Sequence, residues 1–496
     1  MPFEWLSFLK AVGHSSQQQS FFGGLSLQQS LITVDLFCLI LASSTEHEHF
    51  RALVAMRFLS SFAFAATAAL LGRTLAAPVQ PVHPGTAQNL IITSKNTING
   101  SSTPISNGTT HGPESTQELP LSFVNNFSGS GSINAYVTGL NTDNQVVFLQ
   151  SDGSWYVPVA TSSTPTAITT NVALAVGAEG TTTKFTLPDY ISSARVYFAV
   201  GELTFFVLED ESGGTSVVTP SSVNPDDPNA GVNWGFVELT NTADGGLYAN
   251  ISYVDFVGLI LGMELLAGDG STQTAQGLSA NAVSEICGAL ATQGSSDGQP
   301  WGSLCQSDSS GNYLRAIAPS DFVSSNTSAF SDYWTEYIDQ VWSQYTSSDL
   351  TIDTQGSAGN VSCSVSGSNL TCAGDNRGYA KPSAEDIFGC NTGPFSIVSG
   401  DNDIHSAVVP RLCAAFDRTT LLLSGGNVQP SLGSSSYYTT SPTNWYSKFV
   451  HQYEVDGKGY AFPYDDVNPA GENESGVVSD PSPQLLTVTI GGPSSS

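Results

Sequence analysis

Two carboxylates stand out in this 496-residue chain because of the residues around them. Glu238 and Asp255 each lie alone in apolar, strand-like stretches of VNWGFVELTNTADGGLYANISYVDFVGLILGMEL (232–265), one on either side of an Asp-Gly-Gly turn. A carboxylate in such a segment is costly unless it has a partner or a task. Two of them facing one groove are the minimum equipment for acid/base cleavage of a glycosidic bond. The alternation in WGFVEL puts Trp234, Phe236 and Glu238 on one face. A turn centred on Asp244-Gly245 sets Glu238 opposite Ile251 and Asp255 opposite Trp234, so that both acids share a face; a slip of one residue separates them. In a flat hairpin the two backbones would stand about 13 Å apart, at ~3.3 Å per residue. Side-chain reach and sheet twist must shorten that to the roughly 6.5–9.5 Å of an inverting pair. The same pattern also fits a surface Glu and a turn-capping Asp.

The neighbouring residues suit a sugar. Trp234 or Tyr248 can stack on a pyranose ring, and Thr240, Asn250 and Ser252 can hydrogen-bond hydroxyls; a core aromatic with solvated turn polars is the plainer reading. Asn250 also opens a glycosylation sequon, and a glycan there would obstruct a groove. In GYAFPYDDV (459–467) the paired acids Asp465 and Asp466 can line a groove, bind sugar or a cation, or cap a turn. His405 and His451 are lone candidates for proton transfer or ordinary structural histidines. The chain has no GxSxG, HExxH or P-loop, so those hydrolase and nucleotide chemistries find no support.

Composition narrows the partners. Lys and Arg total 14 against 43 Asp and Glu, a net charge of −29. Nucleic acid and anionic lipid both need clustered cations, so neither fits; a neutral polysaccharide does, as does simple solubility in an acidic medium.

The elements that must position these residues begin late in the chain. MRFLSSFAFAATAALLGRTLAAPVQP (56–81) has the basic start, apolar run and small-residue site of a secretory signal, with cleavage near Ala77. It predicts residues 1–55 as an upstream extension outside the true reading frame start at Met56, 56–77 as the signal, and a secreted product with no membrane attachment after cleavage. LITVDLFCLILA (31–42) is interrupted by Asp35 and too short to span a bilayer comfortably. Six cysteines follow the signal: Cys287, Cys305, Cys363, Cys372, Cys390 and Cys413. An even number in an oxidising compartment predicts three disulfides, with nearest-neighbour pairing as the chosen map among fifteen. No CxxC or paired-His spacing suggests a metal.

Residues 78–117, rich in Pro, Ser, Thr and Gly, read as a flexible linker. From 118 the chain shows short apolar runs between turns (INAYVTGL, QVVFLQ, KFTLP, ARVYFAV, LTFFVLED), the texture of an all-β sandwich or barrel. After about 266 it changes: DYWTEYIDQVWSQY (332–345) and HSAVVPRLCAAFDRTTLL (405–422) have helical spacing. KFVHQYEVDGKGYAFPYDDV (448–467) reads as a hairpin around Asp-Gly-Lys-Gly, and QLLTVTIGG (484–492) as a final strand. The prediction is a mainly β protein, its β domain split between 118–265 and 423–492, with a disulfide-stapled mixed α/β domain inserted at 266–422.

Three segments together carry a family resemblance: the 232–265 block, VPRLCAAFDRTTLL (409–422) and YSKFVHQYEVDGKGYAFPYDDV (446–467). In that order they resemble glycoside hydrolase family 64, β-1,3-glucanases of thaumatin-like fold, over about residues 118–492, here of a secreted fungal type. The resemblance implies a β-sandwich/barrel domain beside a mixed α/β domain, a groove for β-1,3-glucan between them, and an inverting mechanism without metal or cofactor. By motif position it implies Glu238 as general acid and Asp255 as general base, with Thr240, Tyr248 and Ser252 near glucan contacts. Tyr248 stands where bacterial members are expected to carry Trp. A monomer is expected. The competing expectations are a non-catalytic glucan-binding wall protein of the same fold and a structural wall protein with no glucan affinity.

Overall fold

The computed structural model describes residues 78–100, 118–211 and 213–493. The signal segment, the stretch upstream of it with Cys38, and the linker stretch 101–117 with the Asn107 sequon lie outside these residues.

The apolar runs become strands, and they form two large sheets that face each other. In the 5-stranded sheet the order is Thr272–Ala275, Leu261–Leu266, Leu485–Ile490, Leu119–Asn125, Thr182–Leu187. The last strand, Leu485–Ile490, sits in the middle, antiparallel to Leu261–Leu266 and parallel to Leu119–Asn125, so strands more than 350 residues apart in sequence are neighbours in this layer. The 8-stranded sheet has Ile191–Val200 at its heart, flanked by Ile133–Leu140 and Trp234–Thr242, with Gly246–Ile251 beyond. The last strand buries alternate side chains, whereas Ile133–Leu140 in the 8-stranded sheet is buried almost throughout, and Phe123 of one sheet meets Phe198 of the other edge-on at 4.9 Å. Each such fully buried side chain contributes about 1.5–3 kcal/mol.

The texture change near 266 is a change of architecture. Helices Thr335–Ser347 and Asp403–Asp417 pack against a second 5-stranded sheet built from Leu350–Asp353, Asn360–Ser366, Asn369–Cys372, Gly378–Tyr379 and Val428–Gln429, while helix Ala282–Asp297 packs against helix Trp445–Tyr453 and strand Tyr313–Ile317. The helix from DYWTEYIDQVWSQY buries Tyr337, Ile338, Val341, Trp342 and Tyr345, the apolar stripe of its 3.6-residue period. Three disulfides staple the region: Cys287–Cys305, Cys363–Cys372 and Cys390–Cys413.

Three expectations fail against the structure. First, KFVHQYEV is no hairpin arm: Trp445–Tyr453 is an α-helix. Asn444 caps it by accepting from Ser447 N at 3.2 Å, and Tyr446, Phe449 and Val450 are buried on one face. Second, residues 78–100 are not a flexible linker. Gln80–Pro81 pairs in parallel with the Cys305 strand, and Thr97–Asn99 pairs with Thr215–Val218. Polar side chains do the anchoring: buried Asn96 takes bonds from Thr93 N and Oγ1 and donates to Ile91 O. Third, the 234–251 hairpin has a different register. Thr242 pairs with Gly246, which leaves a three-residue turn and puts Glu238 opposite Asn250, not Ile251. Gly246 sits at φ +68°, where a Cβ would strike Asp480 O at 2.3 Å, so only glycine permits this turn against the neighbouring strand.

Candidate active site

In this register Glu238, Thr240, Tyr248 and Asn250 share one face of the hairpin, while Val237, Leu239, Ala249 and Ile251 face the core. Continued in register, Asp255 would fall on the core side. It does not, because the strand ends at Ile251. Ser252 forms a lone bridge with Tyr460, the chain bends, and Phe256–Val257 joins a separate sheet opposite Ala316 and Ile317. This departure turns Asp255 back toward Glu238. Ala318 N donates to Asp255 O at 2.8 Å, which fixes the bend against the start of helix Pro319–Ser325.

Arg195 joins the two acids. It pairs with Glu238 across the sheet, just beyond an irregularity between Ile191 and Ala194 where Ser193 has φ +47°. Such a bulge re-aims the side chains that follow it. The guanidinium stacks 4.4 Å over Phe236, and its Nε and one terminal nitrogen lie 3.1 and 2.9 Å from Glu238 Oε1. That terminal nitrogen is also 3.7 Å from Asp255 Oδ2, so one guanidinium bridges the two acids and these two carboxylate oxygens are at most about 6.6 Å apart. No described residue hydrogen-bonds Glu238 Oε2.

A second cation continues the chain. Lys95 Nζ lies 3.3 Å from Asp255 Oδ1 and contacts Asp321 Oδ1 on the short helix Pro319–Ser325. Burial pushes the Asp321 carboxyl up to about 6; Lys95 opposes this and the Asp255 charge adds to it. The result is an alternating series, Glu238–Arg195–Asp255–Lys95–Asp321, drawn from five segments of the chain. Side-chain exposure is 33% at Glu238 and 17% at Asp255, so both border solvent.

The other predicted residues divide. Thr240 and Tyr248 are half-buried and directly opposed, and Thr240 Oγ1 accepts from Ser193 N. Burial first, then the charges of Asp466 and Glu238, push the Tyr248 phenol upward, so these three groups are electrostatic neighbours. Asp466 is exposed, and the nearby Tyr460 hydroxyl donates to Pro463 O at 3.1 Å. Ser252 is buried in the bridge to Tyr460. Asp465 is fully buried: its oxygens bind Arg418 at 2.8 Å, His451 Nε2 at 2.9 Å and Ala461 N at 2.8 Å, so it faces no groove. Trp234 packs among Tyr197, Phe236 and Phe256, closed to any ligand. His405 is buried against Asp375 and Tyr379, far from a proton-transfer role in solvent. Cys390, Cys413 and Asp417 gather ligand-type atoms, but the two sulfurs are committed to their disulfide.

Arg195, Lys95 and Asp321 were not singled out in the sequence. The signal for Arg195 was present: a lone cation in the apolar run ISSARVYFAV is as costly as a lone acid. Lys95 and Asp321 carried none, being ordinary charged residues in polar segments.

Comparisons with known proteins agree on one family. A model of glycoside hydrolase family 64, described as Beta-1,3-glucanase, matches residues 117–490. Glucan endo-1,3-beta-glucosidases of Cellulosimicrobium cellulans and Arthrobacter sp. (strain YCWD3) are each 30% identical over 311 residues, 60% of this chain and 52% of theirs. The chain thus spans about half the length of these curated relatives. A crystal structure of a laminaripentaose-producing beta-1,3-glucanase in complex with laminaritetraose is similar over 75% of this chain and 98% of its own, with 27% identity and a TM-score of 0.66. A family 64 beta-1,3-glucanase domain from Clostridium beijerinckii, 22% identical with a TM-score of 0.59 over 76% of this chain and 99% of its own, shares the fold. The match over three-quarters of the sequence makes this chain a member of glycoside hydrolase family 64, the β-1,3-glucanase family.

Proposed function

We propose that this protein is a secreted, monomeric endo-β-1,3-glucanase that hydrolyses its substrate with inversion, without metal or organic cofactor. The thaumatin-like arrangement, with the disulfide-stapled region as an inserted domain and the glucan in a groove between the two, belongs to the same proposal. The observation that carries it is the bridging of Glu238 and Asp255 by one guanidinium, where the sheet face passes from buried aromatics to half-exposed Thr240 and Tyr248. Family membership and the relatives named above supply the substrate class; three disulfides favour an oxidising compartment.

In this reading Glu238 is the general acid. Its Oε2 delivers a proton to the glycosidic oxygen as the bond from that oxygen to the anomeric carbon breaks. Asp255 is the general base. It takes a proton from a water whose oxygen attacks the anomeric carbon from the opposite face, so one glycosidic bond and one water become two hydroxyl-ended products. Arg195 holds both carboxylates in place before the sugar enters, and Tyr248 offers a ring face beside Thr240.

The test is digestion of laminarin and curdlan, with chromatography of soluble products and proton NMR of the first-formed anomer. Discrete oligosaccharides born as the α-anomer, absent with Glu238→Gln, are expected. The β-anomer would overturn inversion. Binding without cleavage would replace the enzyme by a glucan-binding protein, and neither binding nor cleavage would leave the fold alone.

A further inference from the structure

The family-matched region begins at residue 117, yet one charge of the candidate active site lies upstream of it. Residues 78–100 form a strap pinned at both ends: Gln80–Pro81 to the Cys305–Ser307 strand, Thr97–Asn99 to Thr215–Val218. Between them His83 N donates to Pro225 O, and Asn224 Nδ2 donates to Asn89 O. The turn Ser94–Asn96 is fixed by buried Asn96, and Lys95 is the residue this turn projects at the acids. Its backbone oxygen accepts from an Arg195 terminal nitrogen at 3.5 Å, so the strap touches the bridging cation as well.

We propose that Lys95 is a positioning residue for the reaction, supplied by this strap: its ammonium, shared by Asp255 and Asp321, holds the Asp255 carboxylate at the distance from Glu238 that the attacking water requires. The inference rests on the assignment of Asp255 as the base. The physical argument is one of restraint. Arg195 pulls one oxygen of Asp255 toward Glu238, and Lys95 takes the other. With a cation on each oxygen the carboxylate has one orientation; with Arg195 alone it can swing onto the guanidinium and close the space for water. Asp321 serves as the anchor that keeps Lys95 from following Asp255. Its second oxygen, Oδ2, is buried without a hydrogen-bond partner, so the ammonium is the bond that accounts for a carboxylate there.

The experiment compares the wild-type chain with Lys95→Met, Lys95→Arg and the double variant Lys95→Met/Asp321→Asn, on laminarin, with thermal unfolding in parallel. Misplacing a reacting group by about 1 Å costs on the order of 10²-fold in turnover. We expect kcat to fall by that order in Lys95→Met with KM within about two-fold, and Lys95→Arg to recover most of it. If Lys95→Met is poorly folded because Asp321 is left buried and unpaired, the double variant removes that charge, and it should unfold like wild type yet keep the kcat defect. Wild-type kcat in a folded Lys95→Met or double variant overturns the proposal. So does a raised kcat, which would make the strap an obstruction. Were Glu238→Gln dead while the Lys95 variants are unaffected, this inference would fall and the glucanase assignment stand; a wild-type chain that cleaves no glucan would remove the assignment itself.

Discussion

Two charged networks of this protein invite comparison because they are built from the same kinds of residue. At the candidate site Glu238, Arg195, Asp255, Lys95 and Asp321 alternate in sign; beneath the YAFPYDD segment Glu454, His451, Asp465 and Arg418 do the same. The second is closed. Asp465 has no exposed surface, and the terminal nitrogens of Arg418 also donate to Asp465 O, Asn468 Oδ1 and Val467 O while its guanidinium stacks on Tyr437 at 4.2 Å. The first is open at one end, where Glu238 borders solvent and its Oε2 takes no hydrogen bond from any described residue. The difference shows what a charge in an apolar setting is for. Where the charged groups are withdrawn from solvent the network holds segments together, and where one borders solvent it is available to a substrate.

The largest effect should come from the open network. Glu238→Gln and Asp255→Asn keep shape and remove the titrating group, so each should lower kcat by about 10²–10⁴-fold with little change in unfolding temperature. Near-normal turnover in either variant would dissolve the distinction between the networks. Asp465→Asn should do the reverse. Removing one partner of a buried pair costs about 3–5 kcal/mol, so unfolding temperature should drop sharply while the folded fraction keeps its kcat. An Asp465→Asn protein that folds normally but fails on glucan would put Asp465 back in the groove.

The closed network also predicts a pH signature. Burial alone would raise Asp465, but His451 and Arg418 outweigh it and hold the carboxyl below its usual range. Its stabilisation is therefore complete above the unfolded carboxyl value, about 3.9, and is lost as pH falls through the lower folded value. For His451, burial disfavours charge, yet Asp465 and Glu454 hold the imidazolium well above the usual histidine range. That contribution is complete below the unfolded value, about 6.5, and is lost as pH rises through the folded one. Thermal unfolding of wild type minus Asp465→Asn across pH should thus be largest between these limits; a flat difference would refute it. Tyr248→Ala should be smaller still, a several-fold rise in KM on laminarin with kcat nearly kept, as expected of a stacking contact worth about 1 kcal/mol. Smallest of all is a yes-or-no reading by glycopeptide mapping. Asn360 and Asn369, in the sequons Asn-Val-Ser and Asn-Leu-Thr, are exposed and should carry glycan, whereas buried Asn250 should not.

Much of the fold could be read in advance, because period-2 apolar runs and a helical stripe such as Tyr337–Val341–Tyr345 are local properties of the chain. The helix Trp445–Tyr453 was misread because its glycines follow it closely. Asp456, Gly457, Lys458 and Gly459 suggest a hairpin turn, but Gly459 passes against Tyr253, where a Cβ would sit 2.6 Å from the ring. The strap was misread for a related reason: its Thr, Asn and Ser content looks solvated, and nothing local tells that Asn96 turns inward to bond the backbone.

For the site, the sequence by itself determined that Glu238 and Asp255 needed a partner or a task, since the cost of a lone carboxylate among apolar residues depends only on its neighbours. It equally determined the scarcity of cations, which makes each one beside an acid informative. Tertiary structure decided what brings the acids together. The hairpin register would have parted them; the bend after Ser252, the bulge before Arg195 and a strap more than a hundred residues upstream bring them to one place. Those are contacts between distant segments, set by strand pairing and packing of the whole molecule, and no local pattern encodes them.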